Sequence, residues 1–270
     1  MKSFIYAVFL VPFLLISLAA NTSASELTTV KNTSELVSDD IAAIFKQHAT
    51  PDQLSQLASQ LQLSPQTKGQ FIQTRYLAVL KKPLKSQGVF IFSQQQGLFW
   101  QQTKPFPTTL VLKDRMLIQQ DSFGNIQQSN ANQASAAMAE QLPMLMQALL
   151  TGDVKALEKD FQLYMPAVIN TAENTSAGHA TLWQLGLVAK DPMIQKAIGA
   201  LILEGSLAPT QADKSVTQIE RLTMLSSVEA AINNQKTDKT LIEFSHIENQ
   251  LTEADIKRFD LMPSASSDEH

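Results

Sequence analysis

The residues able to do chemistry are few and scattered. Of the four histidines, His270 is terminal, His48 falls in a helical pattern, and His179 and His246 stand alone on strand patterns. None has the spacing to a second ligand that a metal site needs. The absence of cysteine removes thiol catalysis, disulfide staples and a lipid-modified cysteine together. Gly205-Ser206-Leu207 begins like the turn that presents a nucleophilic serine, but Ala208 and Pro209 follow where a glycine is needed. The nine glycines are dispersed and form no loop that could cradle a phosphate. Carboxylates pair at Asp39-Asp40 and at Glu253 and Asp255, both at helix starts, where negative charge favours the helix dipole. These patterns predict no catalytic residue, no metal site and no cofactor.

What must be positioned is therefore apolar surface. Met1-Lys2 is a short basic start, Phe4 to Ala20 is almost uninterrupted apolar sequence, and small residues follow before Glu26. That order predicts a secretory signal peptide over residues 1–24, cleaved on export, and hence a periplasmic protein. A membrane anchor is the rival reading, but the run is short for a span and no second one exists. The net charge of -4 and the lack of a dense basic patch argue against a nucleic-acid partner. Asn21, Asn32 and Asn174 open glycosylation-type tripeptides that read equally as Ser/Thr-rich loops.

Residues 25–38 are polar without periodicity and predict a flexible leader, with one domain over 39–260 and a polar tail at 261–270. Asp39 or Asp40 can cap a first helix with Ile41, Ile44, Phe45 and His48 on its apolar face. Thr50, Pro51 and Gln53 open a second helix with a capping box and a stripe of Leu54, Leu57 and Leu61. Short strands are predicted at Gly69 to Leu80, Gly88 to Gln94, Leu98 to Gln102, Thr108 to Leu112 and Met116 to Gln120. A helix at Ala131 to Leu150, kinked by Pro143, interrupts the series. Strands resume at Phe161 to Met165, Thr181 to Lys190, Leu201 to Glu204, Gln218 to Leu225 and Thr240 to His246, before a short helix at Thr252 to Phe259. The fold class is mainly β with helices: an unclosed antiparallel barrel of about ten to eleven strands with a helical lid.

Phe71, Phe90, Phe92, Trp100, Leu110, Leu112, Met116, Trp183, Leu185, Leu222, Met224, Ile242 and Phe244 are bulky apolar residues on these strands. They could fill one face as a solid core, or line a cavity under the Ala131 to Leu150 helix. In the second case Leu142, Met144, Met146 and Leu149 form the lid, methionine being suited to irregular apolar shapes. Pattern alone leaves both readings open.

Gly69-Gln70-Phe71-Ile72-Gln73, Gly88, Gly97-Leu98-Phe99-Trp100 and Pro105 resemble the amino-terminal signature of the bacterial lipoprotein carrier (LolA) family. Leu149-Leu150-Thr151-Gly152-Asp153 is similar to the end of the lid helix in that family, and Trp183-Gln184-Leu185-Gly186-Leu187 to its W-x-L-x-L strand, with Lys190-Asp191-Pro192 after it. Lys236-Thr237-Asp238 with Thr240 to Phe244 resembles its final strand, so the likeness covers roughly residues 65–245. The resemblance implies a half-barrel whose apolar interior carries the acyl chains of lipoproteins across the periplasm. It also implies an inner-membrane exporter complex and an outer-membrane acceptor as partners of a monomeric carrier. One departure stands out. Family members place an arginine inside the cavity to lock the lid, and counting from Gly88 that position is Gln94. Three readings follow: a lipoprotein carrier, a carrier of another lipid or acylated product such as a glycolipid or polyene-type lipid, or an interaction module with a solid core. A lipase-like enzyme lacks its motif.

Overall fold

Alternating apolar and polar residues make a strand with one greasy face, and each such strand must find neighbours to satisfy its backbone. Here eleven strands solve both problems in a single antiparallel sheet. The structure is a computed structural model that describes residues 41–61, 64–114, 116–130, 154–166, 181–207, 218–233 and 235–261. The strands are β1 (Gln66–Tyr76), β2 (Leu84–Ser93), β3 (Gly97–Lys104), β4 (Thr108–Lys113), β5 (Met116–Gln120), β6 (Ile126–Asn130), β7 (Phe161–Tyr164), β8 (Thr181–Ala189), β9 (Ala200–Leu207), β10 (Gln218–Leu225) and β11 (Lys239–Glu248). Their spatial order is β6-β5-β4-β3-β2-β1-β11-β10-β9-β8-β7, so the first and last strands pair at the centre. The edges β6 and β7 lie at opposite ends of the sheet, which leaves the barrel unclosed.

Among the described residues the sheet is accompanied by helices α1 (Pro51–Gln60), α2 (Val154–Asp160), α3 (Pro192–Ile198), α4 (Val228–Ile232) and α5 (Glu253–Lys257). The capping box at α1 is present, with the Thr50 N–H donating to Gln53 Oε1 at 2.9 Å and the Gln53 N–H to Thr50 Oγ1 at 3.3 Å. Leu54, Leu57 and Leu61 are buried and pack on the sheet with Trp183, Leu185, Leu187, Leu201, Leu203, Leu222 and Ile242. We call this the inner face. Burying each leucine contributes about 2 kcal/mol, which is what holds so short a helix.

The outer face is covered at both ends. Ile41, Ile44 and Phe45, from a helical turn at residues 41–44, pack with Ala200, Ile202 and Leu225. Gly186 makes that approach possible, since a Cβ there would lie 2.9 Å from both the Ile44 and Phe45 side chains. At the other end Phe259, just beyond α5, packs on Ile91, Phe99 and Val111. Lys68 on β1 fastens α5 by an ion pair to Asp255 at 2.9 Å and also pairs with Glu248 at the end of β11 at 3.2 Å.

Several sequence expectations need correction. His48 is not on a buried helix face: the helical turn ends at residue 44, and His48 is exposed, bridged to Tyr164 and stacked on its ring at 4.5 Å. Pro51 explains part of this, because it disfavours helical geometry at Thr50. The first strand stops at Tyr76 rather than Leu80, where the Leu80 N–H closes a turn on the Leu77 carbonyl. Gly88 lies inside β2 and does not open it. Strand β6 and helices α2, α3 and α4 were not anticipated. The expected signal peptide, leader, lid helix and most of the polar tail lie outside the described residues.

Gly88 is needed where it stands: a Cβ there would overlap the Gln101 carbonyl oxygen and come 2.8 Å from the Phe71 ring. Gly88→Ala is expected to cost about 1–3 kcal/mol, read as a lower midpoint in urea unfolding. An unchanged midpoint would show that β3 can move away freely. The Asp255 carboxyl provides a second test. Burial, its largest influence, pushes its pKa up, but hydrogen bonds from the Thr252 N–H and hydroxyl and from Lys68 outweigh that and hold it below its ordinary 3.8. A carboxylate depressed in the folded state stabilises fully above the unfolded value and loses that contribution as pH falls through the lower, folded one. Hydrogen-exchange protection of residues 253–259 is therefore expected to fall below pH about 4, and Asp255→Asn to be unprotected already at neutral pH. Equal acid loss in both proteins would exclude Asp255 as the cause.

Candidate functional site

The inner face carries the candidate site, and strand parity decides what points there. Phe90 pairs with Trp100, Phe92 with Leu98, Trp100 with Leu110 and Leu98 with Leu112, so these side chains share one face. Leu112 pairs with Leu117, which extends the face to β5. Across the centre, Phe71 pairs with Phe244 and Gln73 with Ile242, which pairs with Leu222.

At the middle of this face four aromatic rings from four adjacent strands meet. Phe71 stacks on Trp100 with ring centroids 3.8 Å apart and planes inclined by 22°. Phe90 meets Phe244 edge-on at 5.3 Å and lies 6.2 Å from Trp100. Phe244 also approaches Trp100 at 6.4 Å, nearly perpendicular. Edge and offset contacts of this kind add about 0.5–1.5 kcal/mol per pair beyond burial. Phe71 and Phe90 are buried, whereas Trp100 and Phe244 are only partly so.

The expected cavity residues divide into two groups around these rings. Trp183, Leu185, Leu222, Ile242 and Phe71 are buried in the core with α1, and partly buried Met224 packs against it. Phe92 and Leu112 belong to a second cluster with Leu98, against which Leu110 and Leu117 are packed, partly exposed. Among the described residues that second cluster consists of strand residues alone. Met116 does not join either. It has the parity of Ile118, which packs on the outer-face cluster, and Leu117 takes the inner position. Leu98, Leu117, Leu201 and Leu203 were missed, although their parity with named neighbours on the same strands was available.

Gln94 sits in the turn between β2 and β3, exposed, with its N–H donating to the Pro65 carbonyl at 3.0 Å. The lid residues Leu142, Met144, Met146 and Leu149 lie outside the described residues. Ser206 is inside β9, paired with Leu182 and Gln218, and is not in a nucleophile turn. His246 is exposed on β11 with φ of 53°, its Nδ1 3.2 Å from Ser245 Oγ. Among the described residues no group of three His, Asp or Glu is placed to hold a metal.

The ion pairs among the described residues lie on the outer face. Arg221 links Glu204 at 3.4 Å and Glu243 at 3.9 Å, and the Gln184 amide donates to Glu204 at 2.8 Å, a polar ladder across β8 to β11. Lys113 pairs with Asp260 at 2.8 Å on the same side. The inner face has one unusual polar atom: Trp183 Nε1 is buried without a hydrogen-bond partner among the described residues.

The described residues thus form an open antiparallel sheet with a largely apolar inner face. The sequence matches the profile of the outer membrane lipoprotein carrier protein LolA-like family over residues 48–220, well over half of the chain, and the protein belongs to that family. Solved structures with similarity include a LolA superfamily protein from Nitrosomonas europaea, 10% identical, covering 77% of this chain and 97% of its own, with a TM-score of 0.39. Another is a DUF1329 family protein from Desulfovibrio piger, 8% identical, covering 76% of this chain and 94% of its own, with a TM-score of 0.41. No curated protein matches the sequence.

The buried indole gives a pair of tests. Trp183→Ala is expected to cost about 3–5 kcal/mol in urea unfolding. Trp183→Phe keeps most of the ring and removes the unbonded N–H, and is expected to cost under about 2 kcal/mol. A phenylalanine variant as unstable as the alanine one would show that the N–H makes a bond.

Proposed function

We propose that this protein is a periplasmic, non-catalytic carrier that shields acyl chains on the inner face of its open sheet. The observation that carries the reading is the set of partly exposed apolar residues there on β3 to β5: Trp100, Leu110 and Leu117. Apolar surface in contact with water costs about 25 cal/mol per Å², and an acyl chain laid on it would remove that cost for both. A broad, predominantly apolar surface suits a cargo defined by greasiness rather than shape. Membership of the lipoprotein carrier family supports acylated proteins as the cargo. On that reading the chain takes its cargo from an inner-membrane exporter and yields it to an outer-membrane acceptor.

The helix α1 narrows the proposal. It packs on the half of the inner face formed by β7 to β11 and makes a solid core of it. The acyl site is therefore placed on the β1 to β5 half, around the aromatic rings and the Phe92, Leu98 and Leu112 cluster. The same surface would accept another acylated lipid, which leaves that second cargo in play.

An apolar fluorophore is expected to bind the purified protein saturably and to be displaced by long-chain fatty acid. Leu117→Glu, which puts a carboxylate on the inner face, is expected to weaken binding at least roughly tenfold, since burying a charge against acyl chains is costly. Met116→Glu, one residue away on the outer face, is expected to leave it unchanged. Absence of saturable binding, or equal effects of the two variants, would exclude an acyl site on this face.

A further inference from the structure

The hairpins of the β1 to β6 half turn alternately at two ends of the sheet, and the two ends differ. The β1–β2, β3–β4 and β5–β6 connections all lie at the end where β1 finishes. Each carries a large apolar side chain held in water. Val79 is 88% exposed and Leu80 40% in the first, Phe106 is 53% exposed in the second, and Phe123 is 81% exposed in the third. With neighbouring strands about 4.8 Å apart, the three tips span roughly 20 Å across the sheet, and the first reaches further along the strand direction, since Arg75 and Leu84 pair beyond the Phe71–Gly88 level near which β3 ends.

These tips are built structures. The Asp238 carboxylate accepts the Ala78 N–H at 2.7 Å and ties the first tip to the start of β11. In the third, the Asp121 carboxylate accepts from the N–H groups of Phe123 and Asn125, both at 2.9 Å, and from the Asn125 amide at 2.8 Å. Gly124 supplies the φ of 88° that this turn requires. Phe123 is thus fixed outward by a network that would serve as well with a polar residue in its place.

Charge distinguishes the same edge. Residues 75–85 include Arg75, Lys81, Lys82 and Lys85 and no acidic residue, and Lys104 precedes the second tip, in a chain whose net charge is -4. Lys81, Lys82, Lys85 and Lys104 are exposed, and none forms an ion pair with another described residue. The first two tips, flanked by lysines without an ion pair among the described residues, complement an anionic bilayer, whose phosphates attract the ammonium groups while its interface accepts small apolar wedges, Phe123 of the third tip among them.

We propose that this edge docks the protein on an anionic phospholipid bilayer, with Val79, Leu80 and Phe123 entering the interface and Lys81, Lys82, Lys85 and Lys104 over the phosphates. The contact is separate from the acyl site: it uses the strand ends, not the inner face, and needs no cargo. The test is flotation of the full chain with vesicles of phosphatidylglycerol and phosphatidylethanolamine, against vesicles of phosphatidylcholine alone. The protein is expected to float with the anionic vesicles and to be released by salt. The double variant Lys81→Gln with Lys82→Gln is expected to lower partitioning roughly 25-fold, at about fivefold per lysine. Val79→Asp with Phe123→Asp is expected to abolish it while the thermal melt and fluorophore binding stay unchanged. All variants share the apolar amino terminus, so binding through that segment would be equal in all of them and would overturn the proposal. So would failure of the unaltered protein to float, including the case where it binds only membranes that retain their proteins.

Discussion

The pairing of β1 with β11 is the interaction on which the rest of the molecule hangs. It joins residues 66–76 to residues 239–248 at the middle of the sheet and so sets two halves side by side. Strands β2 to β6 extend from β1 as successive hairpins, and β10 to β7 extend from β11 in the reverse order. Without that one ladder the chain would be two separate meanders, each with an unsatisfied edge and a bare apolar face. The aromatic rings straddle the seam, with Phe90 and Trp100 on one side and Phe244 on the other of Phe71. Closing a loop of this length is entropically costly, and the stacked rings are what offset that cost locally.

From the seam outward, period-two alternation divides the work between faces. Ionised pairs, the Arg221 ladder and the Lys68 clasp on α5 lie outside, where water screens them and they contribute modestly. Inside, one half is filled by α1, while the other offers partly exposed Trp100, Leu110 and Leu117. An open sheet cannot bury this surface by closing on itself. The surface must be covered by something else, and in a carrier the cargo can serve as that cover.

Much of this was legible in the sequence, and the failures have physical reasons. Clear alternation gave β2, β3, β4, β10 and β11 and the inward direction of Phe90, Phe92, Trp100, Leu222, Ile242 and Phe244. Parity failed at β5 because Met116, Leu117 and Ile118 are consecutive apolar residues; only the register with Leu112 decides which one faces in. Strand β6 has a single apolar residue, Ile126, and exists because the Asp121 turn folds it back onto β5. Helix α3 was readable and overlooked. Asp191 caps it through the Ile194 N–H at 3.1 Å, Pro192 is its first residue, and Gly199 with φ of 68° ends it. Helices α2 and α4, of seven and five residues, are too short for periodicity to register. The capping box at Thr50 was legible because such a motif is local, whereas the one at Thr252, closed by Asp255, was not read. What no local pattern revealed is that α1 would pack on one half of the inner face and not on the Phe92, Leu98 and Leu112 cluster of the other.

The central claim is that acyl chains lie on the β1 to β5 half of the inner face. A fatty acid bearing a diazirine near its methyl end, photolysed in complex with the protein and mapped by peptide mass spectrometry, tests it most directly. The account expects labels on peptides containing Trp100, Leu110 or Leu117, reduced by excess unlabelled fatty acid. Labels confined to the α1-packed strands, to the outer face or to the Val79 and Phe123 tips would contradict it.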